Sequence, residues 1–308
     1  MKTTATTKIE KVEKDQNPRL WRLIEHASMK RNVLLQRVLA FGLLAAMVLV
    51  PVGQTAQAQG KSNDDFLPPI VFQTAGPTAN SIQSTVDAFR AALGNPNNGN
   101  NQPPLDGSGH REINWDGVGA PTTTTPPVNP FNTFLNTRGA QFTTPGIGLA
   151  QATPSGLAVL FNNPQYNTDF STFSPFRLFT PVGSNITEAL FFVPGSNGAI
   201  PATVRGFGAV FTDVDQPDGS GPGGKRGNRG ASTLLEYFDA DGKLLFSSFV
   251  PASPGDGNLS FFGIKFDDAR IASVRITAGN VAPGPNDDQQ NDIVMMDDFI
   301  YGEPQLIN

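Results

Sequence analysis

Carboxylates placed at the ends of apolar runs are the strongest chemical signal in this 308-residue sequence. Asp213, Asp215 and Asp218 follow a long apolar alternation and lead through an Asp-Gly step into a Gly/Pro-rich, basic stretch at 220–230. Alternate carboxylates before such a turn suit an oxygen-seeking cation such as Ca²⁺, although the third aspartate falls one place late for an EF-hand loop and the closing glutamate is missing. The alternative is a solvated turn whose aspartates cap backbone N–H groups. Asp297 and Asp298 interrupt the apolar run 293–301, so in an extended strand one of the two faces inward. An unpartnered buried carboxylate costs on the order of several kcal/mol. A cation, an arginine (Arg205 and Arg275 are candidates) or backbone donors must therefore meet it. On this reading calcium is the expected cofactor, held by Asp297 or Asp298, with Asp213 and Asp215 as candidate further ligands.

A third group, Asn114-Trp115-Asp116, combines an indole with an amide and a carboxylate. Exposed, it would stack on a sugar ring, and these three residues are the candidate ligand-binding set. A core position for Trp115 is the competing reading. No residue is assigned a catalytic role. His110, the only histidine after residue 58, lies in a polar Gly-Ser-Gly-His stretch and is expected to be solvated. The sequence has no Gly-x-Ser-x-Gly elbow, His-Glu-x-x-His or phosphate loop. It also has no cysteine, which excludes disulfides, thiolate nucleophiles and zinc–thiolate sites. Two carboxylates suffice for glycoside hydrolysis, and after residue 58 the only glutamates are Glu112, Glu188, Glu236 and Glu303.

These residues must be delivered and positioned. Lys30, Arg31 and Arg37 precede an uncharged run at 38–50, which Pro51 breaks ahead of Ala56-Gln57-Ala58. That order of basic, apolar and small residues reads as a signal peptide cut after Ala58, and the run is short for a membrane span. Residues 1–58 thus form an N-terminal extension plus signal peptide, with Met29 as a possible working start. The product is expected to be secreted or periplasmic by the general secretory route. The first 58 residues hold 9 of the 22 Lys+Arg and 4 of the 27 Asp+Glu, leaving 13 and 23. This acidic remainder argues against nucleic acid or anionic membranes as partners.

Residues 59–110 are expected to hold one short helix and a loose linker. Asn80-Ser81 would cap a helix over 82–93 with Ile82, Val86, Phe89 and Leu93 on one face, and Gly94 follows it. The low-complexity stretch 95–109 is too poor in apolar residues to order itself. The domain proper spans 111–304, with 305–308 as a tail. Its apolar runs, broken by Gly, Pro, Asn and Asp clusters, predict strands at 156–161, 176–180, 189–193, 202–214, 259–266, 271–277 and 293–301. A hairpin is expected at 233–250, turning on Asp239-Ala240-Asp241-Gly242. Many strands without intervening helices predict a mainly β fold, an antiparallel two-sheet β-sandwich of jelly-roll-like type.

The segments around Arg111–Gly117, Gly206–Asp215, Glu236–Gly242, Phe262–Phe266 and Met296–Pro304 resemble a group of uncharacterised secreted bacterial proteins. Some of that group carry the carboxy-terminal exosortase (PEP-CTERM) sorting tail. The resemblance implies a jelly-roll-like sandwich similar to carbohydrate-binding modules and no established activity. This sequence closes on Gln305-Leu306-Ile307-Asn308 without an apolar tail, which points to a soluble product. The function expected is non-enzymatic binding of an extracellular ligand, a glycan or cell-surface component, with structural calcium. A carboxylate-based glycan-cleaving enzyme and a structural matrix or envelope protein are the rivals.

Overall fold

The computed structural model describes residues 67–104, 106–117, 123–215, 233–285 and 291–307. The expected signal peptide, its cut after Ala58 and the choice of start all lie outside the described residues, as do Asp218 and the basic stretch after it. Two antiparallel sheets make the fold. The larger follows the order β1 (Ile70–Gly76), β11 (Leu259–Lys265), β8 (Gly206–Thr212), β13 (Met295–Gly302), β5 (Leu178–Val182), β4 (Gly148–Ala152), and β2 (His110–Ile113) also pairs with β13. The smaller follows β10 (Leu244–Phe249), β9 (Leu234–Phe238), β12 (Ser273–Thr277), β6 (Ile186–Phe191), β3 (Ala140–Thr143). A short pair joins β7 (Ala202–Thr203) to β14 (Gln305–Leu306). From β5 to β13 the chain passes repeatedly from one sheet to the other, the sandwich habit expected from the sequence.

The sheets meet over an aromatic core. Trp115 lies at its centre, stacked on Phe179 with ring centroids 3.7 Å apart and edge-on to Phe131, Phe134, Phe142 and Phe299. A second apolar layer covers the outside of the large sheet. There α1 (Ala79–Leu93) lays Ile82, Val86, Phe89 and Leu93 onto Val210, Leu259, Phe261 and Ile300. The face is the one the 3.6-residue spacing predicts. Its cap is Thr78, two residues earlier than expected, with Ser81 serving as the reciprocal partner of a capping box.

Close approach of helix to sheet depends on two glycines. Gly208 and Gly263 are cross-strand partners, and a Cβ on Gly208 would come within 2.9 Å of the Phe89 ring. Coverage on both sides explains the burial pattern. In β8 every residue is buried, whereas in β6 burial alternates.

Three expectations need correction. Residues 156–160 belong to α3 (Pro154–Leu160), with Phe161 as its C-cap, and not to a strand: Thr153 caps the start by accepting from the Gly156 N–H, and Pro154 fits the first turn. Two further single-turn helices are α2 (Leu135–Arg138) and α4 (Tyr166–Asp169). The 95–109 stretch is packed where it is described, because Asn98 is buried and its amide donates to Glu303 Oε2 at 2.7 Å and to the Ser108 carbonyl. His110, expected to be solvated, is buried on β2. The hairpin is as predicted: Asp239 N–H donates to the Lys243 carbonyl, Gly242 N–H to the Asp239 carbonyl, and Gly242 has φ +77°.

Candidate functional site

At the end of the sandwich where α1, β2, β13 and the 171–177 loop converge, the charged residues are tied to one another. Arg90, in the last turn of α1, reaches over β2. Its Nε donates to Glu112 Oε1 at 3.0 Å and its Nη2 to Glu112 Oε2 at 2.9 Å; Nη2 also meets Asp298 Oδ2 at 3.5 Å, and Nη1 meets Asp87. His110 sits on the other side of Glu112, with Nε2 2.9 Å from Oε1 and Nδ1 2.6 Å from the Gly94 carbonyl. Both ring nitrogens face acceptors. One layer deeper, Arg111 and Glu303 form a fully buried bidentate pair at 2.8 and 2.7 Å. The remaining Arg111 donors go to the carbonyls of Gly99, Asn101 and Thr137, so the 95–104 loop is held by its own backbone oxygens.

Asp297 and Asp298 are both buried, on a strand covered on both faces. The pairing of β13 with β8 shifts register between Met296 and Phe299, which both face the inter-sheet core, and this bulge leaves both carboxyls against Arg90 and the 173–174 segment on the helix side. Two of the three partners drawn from the sequence are present. Backbone donors meet Asp297, whose Oδ2 accepts from Phe173 N–H at 2.6 Å and Oδ1 from Asp298 N–H at 2.9 Å. An arginine meets Asp298, but it is Arg90 rather than Arg205 or Arg275. Ser174 Oγ donates to Asp298 Oδ1.

Burial first, then the charge of Asp298, pushes the Asp297 carboxyl well above the usual carboxylate range. Burial also raises Asp298, against the opposing pull of Ser174, Asp297 and Arg90. For Glu112 burial again acts upward, but the hydrogen bonds from His110 and Arg90 outweigh it and hold the carboxyl below its ordinary value. The pair on β13 therefore retains a proton more readily than Glu112.

A cleft of about 260 Å³ opens over this network, lined by Asn97, Glu112, Asn114, Arg138, Ser174 and Asp298. The described residues that line it offer amide and guanidinium donors beside carboxyl acceptors and include no aromatic. Arg138 is fixed from below by donating to the Glu112 carbonyl and to Asn100 Oδ1.

The candidate ligand-binding triplet divides. Trp115 is wholly buried and donates from Nε1 to the Asp297 carbonyl at 3.0 Å, so it presents no face to a sugar, and the core alternative describes it. Its φ of +65° turns the chain so that Asn114 stays exposed and lines the cleft. Asp116 is occupied as a loop clamp, Oδ1 accepting from Phe176 N–H and Arg177 N–H at 2.7 and 3.0 Å.

The candidate further ligands Asp213 and Asp215 are separated from Asp297 and Asp298. Thr212 pairs with Met295, which puts Asp213 about 10 Å along the strands from Asp297. Asp215 Oδ1 accepts from Gly255 N–H, and its own N–H donates to Asp292. Among the described residues, no three of His, Asp or Glu are placed to hold a metal ion.

Arg90 and Arg138 were missed as site residues, and Glu112 was named only among the four glutamates open to the glycan-cleaving rival. The available signal was weak: a basic residue in the last turn of a predicted helix and an Arg-Glu pair on a short apolar run. No family model, curated protein or solved structure matches this chain, so function is argued from this geometry.

Proposed function

We propose that the protein is an exported, non-enzymatic β-sandwich that binds a polyhydroxylated extracellular ligand, a glycan or glycan-bearing cell-surface component, in the cleft over Glu112 and Asp298. The observation that carries this reading is the lining itself. Side-chain amides, a guanidinium, a hydroxyl and two carboxyls of opposite protonation tendency converge within one small polar cleft. A sugar, whose every hydroxyl both donates and accepts, matches such a surface, and the absence of an aromatic among the lining residues makes hydrogen bonding rather than stacking the mode. Export and the kinship with exosortase-sorted proteins are parts of the same reading and rest on the sequence. Calcium enters only as a candidate stabiliser at Asp213 and Asp215, to be tested by chelation.

One observation favours hydrolysis as a second reading: two carboxyls with opposite pKa tendencies line one cleft. Against it, Arg90 Nη2 bonds to Glu112 and Asp298 at once, so a guanidinium stands where a glycosidic oxygen would need access to both. A glycan array scored for retention and for released ends separates the two. Retention without cleavage, reduced by Asn97→Ala and Asn114→Ala, supports binding. Cleavage abolished by Glu112→Gln would replace it with catalysis.

A further inference from the structure

The outer face of the small sheet is the surface least accounted for by the cleft. One register row across its strands reads Ser247, Glu236, Arg275, Glu188, Thr143. Arg275 is held in place: Nε and Nη2 donate to Glu188 Oε1 at 2.9 and 2.6 Å, and the guanidinium lies 5.8 Å from the Phe238 ring centre. Both partners stay accessible, with side-chain exposures of 45% for Arg275 and 35% for Glu188. Among the described residues, no hydrogen bond engages Arg275 Nη1, Glu188 Oε2 or the Glu236 carboxylate. Two hollows flank the pair, one of about 230 Å³ walled by Phe238 and Ser273, the other of about 450 Å³ walled by Thr143 and Ile186.

We infer that this face is a second binding surface, for a neutral oligosaccharide laid across β9, β12 and β6. A pre-oriented guanidinium–carboxylate pair with one free donor edge and one free acceptor edge takes up adjacent hydroxyls of a sugar ring, which are themselves donor and acceptor. Phe238 supplies an apolar surface for the C–H side of a ring. Two hollows sharing one charged pair suit a ligand of repeating units. The two glutamates outnumber the arginine and disfavour phosphate, sulfate or a polyanion. The surface shares a ligand class with the cleft but none of its residues, so each can fail alone.

The test uses ¹⁵N-labelled protein titrated with linear glucose, mannose, galactose and N-acetylglucosamine oligomers. Chemical-shift changes should map to β6, β9 and β12 for at least one series, and Arg275→Ala and Phe238→Ala should each weaken that binding about tenfold or more. Glu188→Gln, which keeps the shape and removes the charge, should weaken it less. All three variants should melt within about 2 °C of the parent. Asn114→Ala should leave the sheet-face shifts unchanged. Shifts confined to residues of the cleft, no shifts on this face with any oligomer, or concentration-dependent shifts there without sugar, the mark of a second copy of the chain, would each overturn the inference.

Discussion

The two sheets of this sandwich treat their outer faces differently. Outside the large sheet, α1 seals Val210, Phe261 and Ile300 under Phe89, and the glycines at 208 and 263 let the ring descend onto the strands. Outside the small sheet a row of charge lies open, with Leu244 and Phe249 exposed at its edge. One face is packed under a helix; the other stays open to solvent. The same division sorts the carboxylates, since Asp297 and Asp298 on the helix side are buried with raised proton affinity while Glu188 and Glu236 sit on the open side.

The contrast breaks most visibly at Phe89. Phe89→Ala should cost about 3–5 kcal/mol in urea unfolding, from lost burial plus the cavity left between helix and sheet. Phe249→Ala on the open face should stay within about 0.5 kcal/mol. Comparable losses at the two sites would mean that the small sheet is covered after all. Gly208→Ala should cost about 1–3 kcal/mol, because the new methyl has only Phe89, Phe261 and the Gly263 backbone to push against.

Charge sharpens the same comparison. The folded Asp297 carboxyl has a pKa above its unfolded value, so the native state holds the proton more tightly, and stability falls as pH rises from about 4 towards the folded pKa. Asp297→Asn, which stays neutral, should therefore escape this loss and gain on the parent as pH rises towards 7. That advantage should shrink as pH drops towards 4. Glu112 has the opposite sign, since its depressed pKa contributes stability above the ordinary carboxylate range that is lost on acidification. An Asp297→Asn effect independent of pH would show that the carboxyl is ionised in the fold. Because protein donors meet Asp297 and Asp298, chelator and millimolar calcium should give the same difference between Asp298→Asn and parent. A gap that opens only with calcium would return those carboxylates to a metal.

A modest loss is expected at the hairpin. A Cβ on Gly242 meets nothing within 4 Å, so Gly242→Val acts through the backbone alone and should cost about 1–2 kcal/mol for holding a β-branched residue at positive φ. An unchanged melting temperature would mean that the turn adopts another form.

Periodic features were legible in the sequence. The α1 face, the hairpin and the sandwich all followed from spacing and turn residues. Long-range polar pairing was not. Arg111 and Glu303 are 192 positions apart, and neither residue type announces a partner. The low-complexity 95–104 loop looked unfoldable because its contribution is backbone carbonyls for Arg111, which composition does not encode. The Asp297–Asp298 pair signalled that something must meet a buried carboxylate, but the bulge that leaves both on the helix side, and the helix that brings Arg90, depend on tertiary context. At 156–161 the apolar run outweighed a Thr-Pro cap that was present in the sequence.

The central claim is that the cleft over Glu112 and Asp298 binds a polyhydroxylated ligand without cleaving it. After removal of residues 1–58, Trp115 is the sole tryptophan, and its indole donates to the carbonyl of Asp297 beside that cleft. Isothermal titration of the mature protein with the best-retained glycan from an array, alongside Asn97→Ala/Asn114→Ala, tests the claim most directly. The account predicts saturable binding, a change in Trp115 fluorescence, at least about tenfold weaker affinity in the double variant, and glycan recovered intact. Equal affinity in parent and double variant, or recovery of shortened glycan, would contradict it.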